Sequence, residues 1–158
     1  MPNAEPDFSS ELVPQDLHDF PVHLDAHGSV IPLERFTASG QWYGAYETSA
    51  APDGAAGRLV SMHHFDSSWD SWEMHPNGEE LVICVEGEVT LIQEIWSESI
   101  EEAPSHRQIQ APTRRVLLRA GEWFVNAAGV WHTADIAIGT SATCIFVTSG
   151  LGTEGRPR

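Results

Sequence analysis

Two stretches of the chain carry histidine and carboxylate side chains at spacings that could hold a metal ion. In the first stretch, Glu73 and His75 are two residues apart, so both side chains leave the same face if the segment is a strand. The Pro-Asn-Gly sequence at 76–78 then supplies turn residues, and Glu79 and Glu80 follow the turn. A reversal of the chain there brings these side chains together. Imidazole and carboxylate groups that converge from two strands suit a divalent first-row metal.

The second stretch supplies a further histidine from a distant part of the chain. An apolar run from Trp123 enters a Gly- and Ala-rich turn at 127–129, and His132 lies on the far side of that turn. A metal site between strands needs such a ligand from elsewhere in the sequence. The alternative is that the charged side chains of the first stretch lie in an exposed loop and face water.

The two stretches resemble the paired motifs of the cupin superfamily of small β-barrels. The first cupin motif is a Gly, five residues, His-x-His, three or four residues, Glu, six residues and a Gly. His75 takes the second His place, Glu80 follows after four residues, and Gly87 follows after six more. This spacing selects the second of the two adjacent glutamates. The chain departs from the motif where Glu73 occupies the first His place and Ser67 the leading Gly place.

The second cupin motif is a Gly, five residues, Pro-x-Gly, two residues, His, three residues and an Asn. Gly121, Gly129 and His132 fit this motif. Ala127 replaces the Pro, and Ile136 replaces the Asn. The agreement is specific for a fold and says little about function, because this superfamily hosts many unrelated chemistries.

The resemblance implies an all-β fold, a single-domain cupin-type jelly-roll β-barrel, also called a double-stranded β-helix. Strand-like runs between turn signals, with no helix of convincing amphipathic length, indicate a sandwich or barrel independently. We expect an N-terminal arm at 1–20, the barrel domain at 21–150 and a tail at 151–158. The polar residues 97–112 are expected to form an inserted loop or loose hairpin.

Alternating apolar residues and turn signals also predict individual strands. Residues 50–57 read as a flexible connection between two of them. Cys84 and Cys144 each lie in an apolar run, so we expect two buried free cysteines and no disulfide. The predicted strands are 30–33, 41–48, 58–65, 81–85, 88–96, 114–125 and 142–148.

A site built from Glu73, His75, Glu80 and His132 would surround a divalent ion with two imidazoles and two carboxylates. Fe(II), Mn and Zn are all compatible with this donor set. Alternatively, the two histidines and Glu80 form the two-His, one-carboxylate face of non-haem Fe(II) oxygenases, and Glu73 acts as a catalytic general base. A third possibility is a barrel that has lost its metal. The aromatic residues that flank these positions are expected to wall an apolar pocket or to be plain core: Trp72, Trp123, Phe124 and Trp131.

The cupin resemblance implies a metal-dependent enzyme that acts on a small molecule, of a dioxygenase-like or isomerase-like type. The alternative is a non-catalytic module that binds a sugar or another small metabolite. A formal net charge of −15 repels phosphate backbones, which argues against nucleic-acid binding. No apolar stretch is long enough for a membrane span, and no secretory signal is recognisable at the N-terminus. We therefore expect a cytoplasmic protein, and the resemblance implies a homodimer.

Overall fold

The computed structural model describes residues 13–95, 111–149 and 151–158. These residues form ten β-strands, one α-helix and one 3₁₀ helix. The elements are β1 (Val22–Leu24), β2 (Val30–Pro32), α1 (Gly40–Ala50), the 3₁₀ helix (Ala51–Ala56), β3 (Arg58–Phe65), β4 (Ser71–Met74), β5 (Glu80–Glu94), β6 (Thr113–Arg119), β7 (Trp123–Asn126), β8 (His132–Asp135), β9 (Ala142–Ser149) and β10 (Glu154–Pro157).

The strands pair antiparallel throughout the described residues, in the order β10-β4-β8-β5-β9-β3-β1-β2. Both β6 and β7 branch from this order by pairing with β5. The prediction of an all-β fold is confirmed. The end strands β2 and β10 do not pair with each other in the part of the chain that is described, so the strands do not close into a barrel there.

The long strand β5 joins the two halves of the fold. Its first half pairs with β7 and β9, and its second half pairs with β6 and β8. A bulge between Cys84 and Glu86 separates the halves. Such a bulge bends a strand and increases its twist, so one strand contributes to two differently oriented sheets. The prediction of two separate strands at 81–85 and 88–96 is therefore wrong.

Gly87 follows this bulge, and two physical reasons favour glycine at its position. Its φ is +74°, in the left-handed region that favours glycine. A Cβ atom at this position would also lie 1.9 Å from the carbonyl oxygen of Ser141. The closing glycine of the first motif is thus required by the close approach of β5 to the start of β9.

One apolar cluster fills the space between the strands, with side chains from β5, β6, β8 and β9. Full burial of a Val, Leu, Ile or Phe side chain contributes roughly 1.5–3 kcal/mol relative to its exposure to water. Cys84 and Cys144 are buried and free, as predicted. The buried members are Val82, Cys84, Val89, Leu91, Leu118, Ala134, Ile136, Ala142, Cys144 and Phe146.

The strand predicted at 41–48 is wrong, because this segment belongs to helix α1. The helix begins after Ser39, whose hydroxyl accepts a hydrogen bond from the backbone N–H of Trp42 at 3.2 Å. Trp42, Tyr46 and Ala50 recur every four residues and are buried on one face of the helix. Aromatic residues favour strands, but this spacing matches the helical period. The 3₁₀ helix follows directly, where a flexible connection was expected.

The remaining strand predictions had mixed outcomes. The strands predicted at 30–33, 58–65 and 142–148 are confirmed as β2, β3 and β9. The single strand predicted at 114–125 is two strands, β6 and β7, because Gly121 adopts a φ of +90° in a turn between them. The tail contains β10, which pairs with β4.

Two predicted features fall largely outside the described residues. Positions 1–12 of the expected arm and 97–110 of the expected insert are not among them. The division of the chain into arm, barrel and tail stays a prediction. Within 13–95, 111–149 and 151–158, no helix combines the length and the apolar character needed to span a membrane.

Candidate metal centre

Three strands bring the four predicted ligands together. Glu73 lies in β4 and is the register partner of His132, the first residue of β8. His75 directly follows β4, and its carbonyl oxygen accepts a hydrogen bond from the N–H of Gly129 at 2.9 Å. Glu80 begins β5 after the predicted turn. The backbone thus joins the two sequence motifs at the site itself.

The polar atoms of these side chains lie within reach of one ion. Glu73, His75 and His132 each offer a ligand atom, and the three atoms lie within 4.8 Å of one another. The Oε1 atom of Glu80 lies 3.3 Å from Nε2 of His75, and its Oε2 atom lies 3.3 Å from Nε2 of His132. Atoms that share a first-row ion at about 2.1 Å are separated by about 3.0 to 3.4 Å at octahedral or tetrahedral angles. The spacing around Glu80 therefore fits shared coordination.

Hydrogen bonds orient both imidazole rings. Nδ1 of His132 lies 3.0 Å from the carbonyl oxygen of Val130. Because a carbonyl can only accept, Nδ1 carries the hydrogen, and Nε2 of the neutral ring keeps its lone pair. Nδ1 of His75 lies 3.1 Å from Oγ1 of Thr153. This contact orients the second ring in the same way when the hydroxyl oxygen accepts.

The two Nε2 atoms are the clearest sign that a ligand belongs here. Both are fully buried, and neither has a hydrogen-bond partner within the described part of the chain. Their 3.3 Å contacts with Glu80 are close enough for an ion pair but lack hydrogen-bond geometry. Buried polar atoms without a partner are rare and costly. A metal ion bound between them would satisfy both.

Glu80 is held as a carboxylate inside the protein. It is buried, and it accepts hydrogen bonds from Nδ2 of Asn126 at 2.9 Å and from Oγ1 of Thr148 at 3.0 Å. Burial alone would raise the pKa of Glu80, but its contacts with His132 and His75 outweigh burial and hold this pKa below the usual range. Burial likewise opposes protonation of His132, yet the contact with Glu80 raises the pKa of this imidazole.

Glu73 has a different environment from Glu80. It is half-buried, and burial together with the charge of Glu80 raises the pKa of its carboxyl group. Two carboxylates at one site therefore differ in their readiness to hold a proton. This difference is compatible with either of the roles predicted for Glu73, metal ligand or base.

A cavity of about 980 Å³ opens onto the site. Glu73, His75 and Glu80 are among its lining residues, whereas His132 lies behind them with 1% of its surface exposed. A metal ion held by these residues would thus lie at the wall of a space large enough for a small organic molecule. Aromatic side chains make up much of the lining: Phe36, Tyr43, Tyr46, Phe65, Trp69 and Phe146.

Among the described residues, none of the four aromatic residues that flank the motifs lines this cavity, and Phe124 packs against the apolar cluster, as the core alternative expects. Trp72 and Trp131 instead pack on the guanidinium of Arg156, at 5.5 and 4.3 Å from the ring centres. Trp123 is 64% exposed. Neighbouring residues of an extended chain point to opposite faces. Trp72 and Trp131 directly precede Glu73 and His132, so their side chains point away from the site.

Three residues that support the ligands were not predicted from the sequence: Asn126, Thr148 and Thr153. Asn126 precedes the Ala-rich turn, and its pairing with Glu80 depends on strand register, which the local sequence does not specify. Thr153 lies in the segment taken as a tail. Asn77 anchors that segment by donating a hydrogen bond from Nδ2 to the carbonyl oxygen of Leu151 at 2.7 Å.

Comparisons with known proteins do not define a family for the chain. No protein-family model matches it, and no curated protein matches it. One similar solved structure is hydroquinone 1,2-dioxygenase from Sphingomonas sp. TTNP3 with 4-hydroxybenzoate bound, at 13% identity and a TM-score of 0.42. The match covers 60% of this chain and 61% of that chain.

Another similar structure is Peruvianin-I, a cysteine peptidase from Thevetia peruviana latex. Its identity is 17%, its TM-score is 0.37, and the match covers 62% of this chain and 52% of that chain. The chain thus spans about half to three fifths of the length of these two structures. Both TM-scores are too low to assign a family or an activity.

Proposed function

We propose that this chain is a metal-binding cupin that acts on a small molecule. His75, His132 and one or both of Glu73 and Glu80 would hold the metal ion. The observation that carries the proposal is the pair of buried Nε2 atoms without hydrogen-bond partners, which face a carboxylate at 3.3 Å. The cavity beside them supports access for a small molecule.

The donor set supports Fe(II), Mn or Zn as the bound ion, since two imidazoles and one or two carboxylates suit all three. When bound, such an ion would act as a Lewis acid and, in the case of iron, would also supply redox chemistry. Neighbouring residues orient the ligand side chains by hydrogen bonds. Asn126 and Thr148 hold the carboxylate of Glu80 in place by hydrogen bonds, and Val130 fixes the tautomer of His132.

A catalytic role is supported by the position of Glu73. Its side chain lines the cavity and lies within 4.8 Å of the nearest ligand atoms of both histidines. A carboxyl group at this position can give a proton to a bound molecule or take one from it. We therefore favour an oxygenase- or isomerase-type enzyme over a binding module. The cytoplasmic location and the homodimer stay predictions.

The proposal is tested by metal analysis of protein purified without added metal and without a His-tag. We expect near-stoichiometric Fe, Mn or Zn in the parent protein and its loss in the variants His75→Ala and His132→Ala. His27→Ala is the matched control, because His27 is exposed in a turn near β1 and should leave the metal content unchanged. A parent protein that contains no metal, and takes up none on titration, would contradict the proposal.

The variant Glu73→Ala separates the two roles of this carboxylate. Loss of metal would make Glu73 a ligand, whereas retained metal with lost turnover would make it the proton-transfer group. Turnover is followed as oxygen consumption by the Fe(II)-loaded protein and as product formation in mixtures of small molecules. Saturable binding without any turnover would favour the non-catalytic module.

A further inference from the structure

A connected set of ring side chains lines the cavity that reaches the candidate metal centre. We call it the aromatic wall and define it as Phe36, His63, Phe65, Trp69 and Phe146. His63 lies at its middle, with ring centres 5.1 Å from Phe36, 6.3 Å from Phe65 and 5.8 Å from Phe146. Trp69 extends the wall, 5.5 Å from Phe65 and 6.0 Å from Phe146. Such a surface favours a flat ring that can stack on it or meet it edge-on.

The aromatic wall carries no charge at neutral pH. Its only titratable member, His63, is half-buried on β3. Burial lowers the pKa of this imidazole, and the nearby His18 lowers it further. His63 therefore acts as one more neutral ring within the wall.

The acidic groups that line the cavity have no strongly basic counterpart. Four carboxylates reach it, from Glu47, Asp70, Glu73 and Glu80, while no arginine lines it within the described residues. All eight basic residues of the chain are arginines, so no lysine is available either. A divalent ion bound by Glu73 and Glu80 would be formally neutralised, which leaves Glu47 and Asp70 to set the sign of the remaining charge. With both glutamates on the ion, an anionic ligand would meet carboxylates and no arginine among the described residues that line this space, which disfavours its binding.

We propose that the cavity binds a planar aromatic molecule that carries no carboxylate, sulfonate or phosphate group. This inference rests on the proposed function in that it names the class of molecule brought to the same metal centre. A cavity of about 980 Å³ is ample for one or two rings. The neutral wall supplies the stacking surface, and the carboxylates at the cavity discriminate against anions and favour amines.

The test uses three probes that share a 4-hydroxyphenyl ring: tyramine, 4-ethylphenol and 4-hydroxyphenylacetate. Binding is measured by ligand-observed NMR titration at low salt, with both the metal-free and the Zn-loaded protein. We expect tyramine and 4-ethylphenol to bind, and 4-hydroxyphenylacetate to bind at least about tenfold more weakly than 4-ethylphenol, a difference of about 1.4 kcal/mol. Equal or tighter binding of 4-hydroxyphenylacetate would overturn the proposal, as would binding of none of the three.

Variants locate the binding to the aromatic wall. Phe65→Leu keeps an apolar side chain but removes a ring, and we expect 4-ethylphenol to bind about 2- to 10-fold more weakly. Phe124→Leu is the matched control, because Phe124 is not among the residues that line the cavity. Its ring centre instead lies 5.0 Å from the guanidinium carbon of Arg114. Asp70→Asn should reduce the ratio of the affinity for tyramine to the affinity for 4-hydroxyphenylacetate, because it removes one negative charge from the cavity. Identical affinities in both leucine variants would overturn the assignment to the wall.

The outcome can be separated from that of the proposed function. Binding of the probes in the expected order by a protein that holds no metal would sustain this inference and contradict the metal centre. Stoichiometric metal together with tighter binding of the anionic probe would sustain the metal centre and contradict this inference.

Discussion

Thr153 is expected to tune the metal affinity of His75 from the C-terminal segment. Its Oγ1 atom lies 3.1 Å from Nδ1 of His75. Thr153 directly precedes β10, the strand that pairs with β4. When this oxygen accepts the Nδ1 hydrogen, Nε2 keeps its lone pair and faces the site. Groups that orient a metal-binding histidine in this way typically contribute a factor of about 10 to 100 in metal affinity.

The structure places the expected effect at the lower end of that range. Thr153→Val keeps the shape of the side chain but removes the acceptor for a ring that is only 5% exposed. Loss of a partner for a buried donor costs about 1–3 kcal/mol, but Thr153 itself is exposed, so water can replace part of the contact. We therefore expect Zn²⁺ affinity to fall about tenfold, or about 1.4 kcal/mol. Thr153→Ser retains the hydroxyl and should bind nearly as tightly as the parent protein.

Two measurements check this expectation. Competition of the protein with a chelator for Zn²⁺ gives the three affinities. Nitrogen NMR of metal-free protein reports which ring nitrogen of His75 carries the hydrogen, so this measurement does not depend on metal binding. Equal Zn²⁺ affinity in Thr153→Val and the parent protein would refute the reasoning. A serine variant as weak as the valine variant would show that the methyl group matters and the hydroxyl does not.

Two further predictions concern the fold. Gly121→Ala should lower the free energy of unfolding by about 1–2 kcal/mol, because the φ of +90° at this position disfavours a side chain. Nothing lies within 4 Å of the added Cβ, so no clash adds to this loss. Gly87→Ala should lower the free energy of unfolding, measured in urea, by clearly more, because the added Cβ would lie 1.9 Å from the backbone oxygen of Ser141. Equal losses of unfolding free energy in the two variants would contradict this explanation. Burial and nearby carboxylates raise the pKa of Tyr46 to about 12, above the value of about 10 in an unfolded chain. The native state thus keeps a proton that the unfolded state has lost, so stability should fall as pH rises from about 10 towards 12. Tyr46→Phe should remove this part of the pH dependence, and phenolate absorbance in the single-tyrosine variant Tyr43→Phe should show the raised pKa directly.

The structure brings together the four residues that the sequence motifs singled out, whereas several surrounding elements differ from the predictions. Motif spacing placed Glu73, His75, Glu80 and His132 on strands that the structure brings together. This was possible because the turn after His75 is local and its direction follows from turn chemistry.

Other features depend on contacts between distant parts of the chain. The need for glycine at position 87 depends on its close approach to the carbonyl oxygen of Ser141, a contact that the sequence around Gly87 does not encode. The strand β10 has a Gly- and Arg-rich sequence without strand character and forms because β4 offers it an unpaired edge. Sequence periodicity gives the faces of a strand but not which face turns towards a cavity, so the aromatic wall could not be predicted.

The most direct test of the proposed metal centre is a crystal structure of the protein loaded with Mn²⁺ or Zn²⁺, with anomalous scattering used to locate the ion. We expect one strong peak at about 2.0–2.2 Å from Nε2 of both His75 and His132, with a carboxylate oxygen of Glu73 or Glu80 completing the protein ligands. An anomalous peak elsewhere on the molecule, or none beside these two nitrogens, would contradict it.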